Sequence, residues 1–154
     1  MKNHINKNKV YLASSMDAEF RDTITKAAEI LRKKFDDVYV PMENVIPNAW
    51  DYPNNEWGLM VFTEDISAID RSDIVVFLNY GRSKTTAGCA WEVGYAFAKD
   101  KKVIVVDVQP NGGEPFITSL MIENGRYATV NGLDQLDSYN WSLMPKSRSE
   151  YEQK

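Results

Sequence analysis

Short unbroken apolar runs alternate along this chain with stretches in which apolar residues recur at spacings of three and four. The runs read as strands and the spaced stretches as helices. Residues 9–13 (KVYLA) predict a first strand that ends at the small polar pair Ser14-Ser15. From Asp17 to Phe35 the period becomes helical: Phe20, Ile24, Ala27, Ala28, Leu31 and Phe35 form one stripe. Asp17 and Glu19 at its start and Arg32, Lys33 and Lys34 at its end suit the helix dipole. Residues 38–40 predict a second strand, stopped by Pro41. A long loop with three prolines follows over 41–55, and a loop of that length in a compact domain is often functional. A second helix over 56–68 would turn Trp57, Val61, Phe62, Ile66 and Ile69 inward.

Residues 73–79 (DIVVFLN) are apolar enough for a strand covered on both faces. A polar loop leads from them to a third helix over 88–99, a fourth strand over 102–108, a short helix over 116–123, a fifth strand over 127–130 and a last helix over 133–139. Strands alternating with helices predict an α/β fold: a flavodoxin-like, doubly wound, five-stranded and mainly parallel sheet, with helices on both faces and strand order 2-1-3-4-5. Residues 1–8 read as a polar leader, 9–140 as a single domain and 141–154 as a tail. Ligands of such sheets bind beyond the carboxyl ends of the strands, which points to the loops 14–17, 79–88 and 109–121.

Composition narrows the chemistry. The chain has 154 residues, 44% of them hydrophobic, enough for one well-filled core. A net charge of −4 argues against a protein that gathers nucleic-acid phosphates. One cysteine, Cys89, and one histidine, His4, leave no material for a disulfide, a zinc cage or a Ser-His or Cys-His catalytic pair. The start of the chain is basic but lacks an apolar signal segment, and no apolar run could span a bilayer, so a soluble cytoplasmic protein is expected. Neither Gly-rich phosphate fingerprint is intact; no cofactor and no metal are expected.

The third helix, AGCAWEVGYAFAKD, carries the chemistry. Ala87, Gly88, Ala90, Gly94 and Ala96 allow close approach to the sheet, and among them stands one carboxylate, Glu92. An acid near a helix start can simply complement the dipole. In a helix apolar nearly all round, a fixed carboxylate also suits attack at an anomeric carbon, where it stabilises an oxocarbenium-like state and can form a glycosyl ester. A second acid would serve the departing group. Of Glu64, Asp65, Asp70 and Asp73, the choice falls on Asp65, near one end of its helix between two apolar faces. Tyr11, in the first strand near its ligand end, needs a hydroxyl partner if buried, and a carboxylate would provide one.

KVYLASSM, VPMENVIP, NEWGLMVFTEDISAIDRSDI, TAGCAWEVGYA and TSLMIENG, in that order over residues 9–140, together resemble the nucleoside 2-deoxyribosyltransferase family. The resemblance implies that Glu92 takes the deoxyribosyl group, that Tyr11 positions it, and that Asp65 hydrogen-bonds the base and manages its proton. It places Ser15, Met16 and Trp57 in the wall of the base pocket and Gly88 among the substrate-binding residues. It further implies a homo-oligomer in which a neighbouring subunit lends Met121 to the site. The expected partners are a 2′-deoxynucleoside or 2′-deoxynucleotide and a free nucleobase, with neither a nucleic-acid polymer nor a membrane.

Two positions depart from the transferase pattern. Thr86 stands where an Asp would hold a sugar hydroxyl, and Ser119 where an Asn would contact the 5′-hydroxyl. At both points the chain is similar instead to the 2′-deoxynucleoside 5′-monophosphate N-glycosidases, whose serines bind the 5′-phosphate; Arg82 and Lys84 in the same loop would add positive charge. Transfer to a second base is the first expectation and hydrolysis of a monophosphate the alternative. A non-catalytic nucleotide-binding module and a flavin electron carrier are the readings from other classes.

Overall fold

The computed structural model describes residues 6–108 and 119–143. Five strands, β1 (Asn6–Ala13), β2 (Phe35–Tyr39), β3 (Ile74–Asn79), β4 (Lys102–Asp107) and β5 (Ala128–Asn131), form one sheet in the order β2-β1-β3-β4-β5. Every pairing is parallel, as the alternation of strands and helices predicts.

Successive side chains of a strand face opposite ways, and both faces are used. Val10, Leu12, Ile74, Val76, Ile104 and Val106 pack under α1 (Arg21–Arg32) and α5 (Gly132–Ser138). Tyr11, Ala13, Val75, Phe77, Val103 and Val105 face α2 (Asn54–Arg71), α3 (Ala87–Ala98) and α4 (Leu120–Gly125). This double cover is why β3 reads as an unbroken apolar run. The two candidate acids, Asp65 in α2 and Glu92 in α3, both stand on the second face.

Several boundaries move. β1 begins at Asn6, so part of the polar leader is strand, with Asn6 paired to Phe35. The first helix is shorter than its stripe: a 3-10 turn covers Ala18–Phe20, and Phe35 opens β2. The 41–55 loop carries 3-10 turns at Pro41–Glu43 and Ala49–Asp51. In α2 only Ala68 and Ile69 are fully buried; Trp57 (43% exposed) and Phe62 (51%) do not turn into the core as expected. At the far end Trp141 is buried edge-on against Phe35, which attaches the start of the expected tail to the domain. Most of the expected 109–121 ligand loop lies outside the described residues. No helix among the described residues is long and apolar enough to cross a membrane.

Candidate active site

Beyond the carboxyl end of β3, buried Asn79 fixes the start of the loop to α3. Its Nδ2 donates to Asp107 of β4 at 2.8 Å and its Oδ1 accepts from Gly81 N–H at 3.0 Å. Gly81 has φ of 99°, a backbone that residues with a Cβ rarely adopt. The loop then delivers Thr86 as the N-cap of α3, its hydroxyl accepting from Cys89 N–H at 3.2 Å. Capping sets where α3 starts, and hence where Glu92 points.

Glu92 and Asp65 line one cavity of about 390 Å³ with Phe62, Ile66, Ala87, Gly88 and Trp91. The walls are otherwise apolar, as in most sites that take a small organic ligand. Behind Glu92 stands Tyr11, fully buried, whose hydroxyl donates to Glu92 Oε1 at 3.1 Å. Burial, then the charge of Glu92, pushes the Tyr11 phenol far up, so it stays a donor. The Glu92 carboxyl is itself raised to about 7, chiefly by burial; the Tyr11 hydrogen bond opposes this and the charge of Asp65 adds to it.

Asp65 is held in a parallel way. Tyr39, stacked on Tyr11 with ring centroids 5.4 Å apart, donates to Asp65 Oδ1 at 2.9 Å. Burial raises the Asp65 carboxyl, against the pull of that hydrogen bond, and the neighbouring Glu64 charge raises it further. Two adjacent strand tyrosines thus serve the two carboxylates of one cavity. Cys89, one turn before Glu92, is poorly placed to act as a nucleophile: it is buried and burial pushes its thiol up to about 11.

The structure therefore brings together Tyr11, Asp65, Gly88 and Glu92. Ser15 is buried beyond the end of β1, its Oγ without a partner among the described residues, and Met16 beside it is half-exposed. Neither they nor Trp57 line this cavity. Ser119 caps α4, accepting from Ile122 N–H at 3.2 Å. Met121, 83% exposed, lines a second hollow of about 240 Å³ between α3 and α4, not the one that holds Glu92. Lys84, expected to bring charge to a phosphate, is engaged with Glu19 at 3.1 Å on the surface.

Sequence reasoning missed Tyr39 and Asn44, and took Phe62 and Ile66 for core. The signal lay in their register: Tyr39 pairs with Tyr11 across β1 and β2, and Asp65 and Ile66 stand three and four residues after Phe62, one turn on along α2. Among the described residues no group of three or more His, Cys, Asp and Glu side chains could hold a metal ion.

Comparison with known proteins bears on the family and the fold. The family model described as nucleoside 2-deoxyribosyltransferase matches residues 10–127. The chain is similar to the solved structure of a 2-deoxyribosyltransferase from Bacillus psychrosaccharolyticus, with 30% identity and a TM-score of 0.74, covering 89% of this chain and 96% of that one. It is also similar to a conserved protein from Enterococcus faecalis V583 (21%, TM-score 0.65, 86% and 96% covered). A third similar structure is a CMP N-glycosidase from Clostridium botulinum (17%, TM-score 0.54, 85% and 99% covered). The last two share the fold. No curated protein matches the chain.

Proposed function

Since the chain belongs to the nucleoside 2-deoxyribosyltransferase family, we propose that it moves the 2-deoxyribosyl group of a 2′-deoxynucleoside to a second nucleobase through an ester on Glu92. One observation carries this reading: the Glu92 carboxylate stands in a cavity wall with one oxygen held by Tyr11 and a second acid, Asp65, in the same wall.

With Oε1 occupied by the Tyr11 hydrogen bond, Oε2 is the oxygen free to attack C1′. As the C1′–O bond forms, the C1′–N bond breaks and its electron pair goes to the base nitrogen; Asp65, as the acid, gives that base its proton. In the return step an acceptor base attacks C1′, loses its N–H proton to Asp65, and Glu92 departs as carboxylate. Two acids in one apolar cavity favour a state with one proton between them. An electron-deficient C1′ at Glu92 favours the anion there, and the charge of Glu64 favours the proton on Asp65.

A second reading, hydrolysis of a 2′-deoxynucleoside 5′-monophosphate, is supported by Thr86 and Ser119. Each accepts one backbone N–H, so each keeps its own O–H to donate. Water would then replace the acceptor base.

The test feeds the protein a 2′-deoxynucleoside with a second free base and, in parallel, a deoxynucleoside 5′-monophosphate alone. A new nucleoside in the first tube, with a deoxyribosyl adduct mapped to Glu92 after acid quench, supports transfer; free base and sugar phosphate in the second support hydrolysis. Glu92→Ala should lower either rate by about 1,000-fold or more, roughly 4 kcal/mol of barrier. A variant within about ten-fold of the parent overturns the reading. We also propose a homo-oligomer, supported by the exposure of Met121 and Leu120 beside the second hollow.

A further inference from the structure

The loop between β2 and α2 is pinned close to the site. Arg32 forms an ion pair with Glu43 and also donates to Val38 carbonyl at 3.1 Å, and Asn44 N–H closes the 3-10 turn on Pro41 carbonyl at 3.0 Å. This holds the Asn44 amide over α2, where Nδ2 donates both to the Glu64 carboxylate and to the Tyr39 hydroxyl oxygen, the latter at 3.1 Å.

With Glu64 and Asp65 as carboxylates, the direction of each bond in this cluster follows from what the groups can donate. A carboxylate only accepts, so Glu64 fixes which end of the Asn44 amide faces inward. The Tyr39 oxygen receives that amide hydrogen, and its own single hydrogen goes to Asp65 Oδ1 at 2.9 Å. Oδ1 is thereby an acceptor, and when Asp65 is an acid its proton sits on Oδ2. We propose that Glu64, Asn44 and Tyr39 form a one-way hydrogen-bond chain that selects the Asp65 oxygen presenting the proton to the departing base, with Tyr39 as a positioning residue. This rests on the reading of Asp65 as the base-side acid.

Burial and the hydrogen bond to Asp65 push the Tyr39 phenol well above its ordinary value, so the donor is never lost near neutrality. The ring also packs on Tyr11, and Tyr39→Phe keeps that stack while deleting the hydroxyl.

The test separates proton delivery from general damage by the leaving group. Two substrates are compared at saturating acceptor: the common 2′-deoxynucleoside that the parent cleaves fastest, and 4-nitrophenyl 2-deoxy-β-ribofuranoside, whose phenolate departs without a proton. Tyr39→Phe should lower kcat/KM for the nucleoside by about 10- to 100-fold and for the nitrophenyl glycoside by less than about three-fold. Asn44→Leu should show the same split with a smaller loss. Equal losses on both substrates, or no loss on the nucleoside, overturn the proposal. If the parent releases nitrophenolate and forms the Glu92 adduct yet the split is missing, only the chain is wrong; if the parent does neither, the reading of the site falls and the chain with it.

Discussion

At the residue scale the site keeps a carboxyl where folding disfavours its charge. Folding raises Glu92 from the ordinary 4.5 to about 7, so the native state binds that proton more tightly than the unfolded chain does. The contribution is full below about pH 4.5 and is lost as pH rises through about 7. Glu92→Gln keeps the oxygen that accepts from Tyr11 and cannot ionise. Its stability gain over the parent should therefore be near zero at pH 4 and about 1–3 kcal/mol at pH 8, allowing for partial solvent screening. Thermal melts of both proteins at the two pH values measure it. A gain that does not change with pH would mean the carboxylate costs nothing in its cavity. This tension was legible in the sequence only in outline. A lone Glu among Trp91, Val93 and small residues announces a carboxylate in apolar surroundings. Its partner Tyr11 stands 81 residues away, and only the fold brings the hydroxyl within 3.1 Å.

At the scale of elements, the start of α3 rests on one capping side chain. The family resemblance expects Asp where this chain has Thr86, and both are good N-caps. The Thr86 hydroxyl accepts from Cys89 N–H, so Thr86→Ala should cost about 1 kcal/mol in denaturant unfolding, while Thr86→Asp should lose less than about 0.5 kcal/mol. If Ala and Asp are equally destabilised, the cap does not set the helix start. Strand order and helix count were legible because buried parallel strands and amphipathic stripes leave different periods. The errors came where periods coincide. Phe35 lies four residues after Leu31, which continues a helical stripe, yet it is the first residue of β2 and pairs with Asn6. In α2, apolar identity could not separate core from cavity rim: Ile69 is sealed while Phe62 walls the site.

At the scale of the whole molecule, exposed apolar side chains have two distinct causes. Phe62 and Trp91 are uncovered because they line the cavity that holds Glu92 and Asp65. Phe97, Leu120 and Met121 stand on or beside α3 and α4, around the second hollow, where no catalytic group is placed. Exposed apolar surface of this kind supports the proposed contact with a second copy of the chain. If a neighbouring copy covers it and lends Met121 to the site, assembly and activity must fall together. Leu120→Glu separates this from a folding defect. Leu120 is 75% exposed and is the first residue of α4, where an acid suits the helix dipole, so the fold should hold. Sedimentation velocity should show the parent at a multiple of 17.6 kDa and the variant at 17.6 kDa, with turnover of the variant reduced at least about ten-fold and recovering as its concentration is raised. A variant that sediments as a monomer with full turnover would remove Met121 from the site and leave the Glu92 cavity complete within one chain.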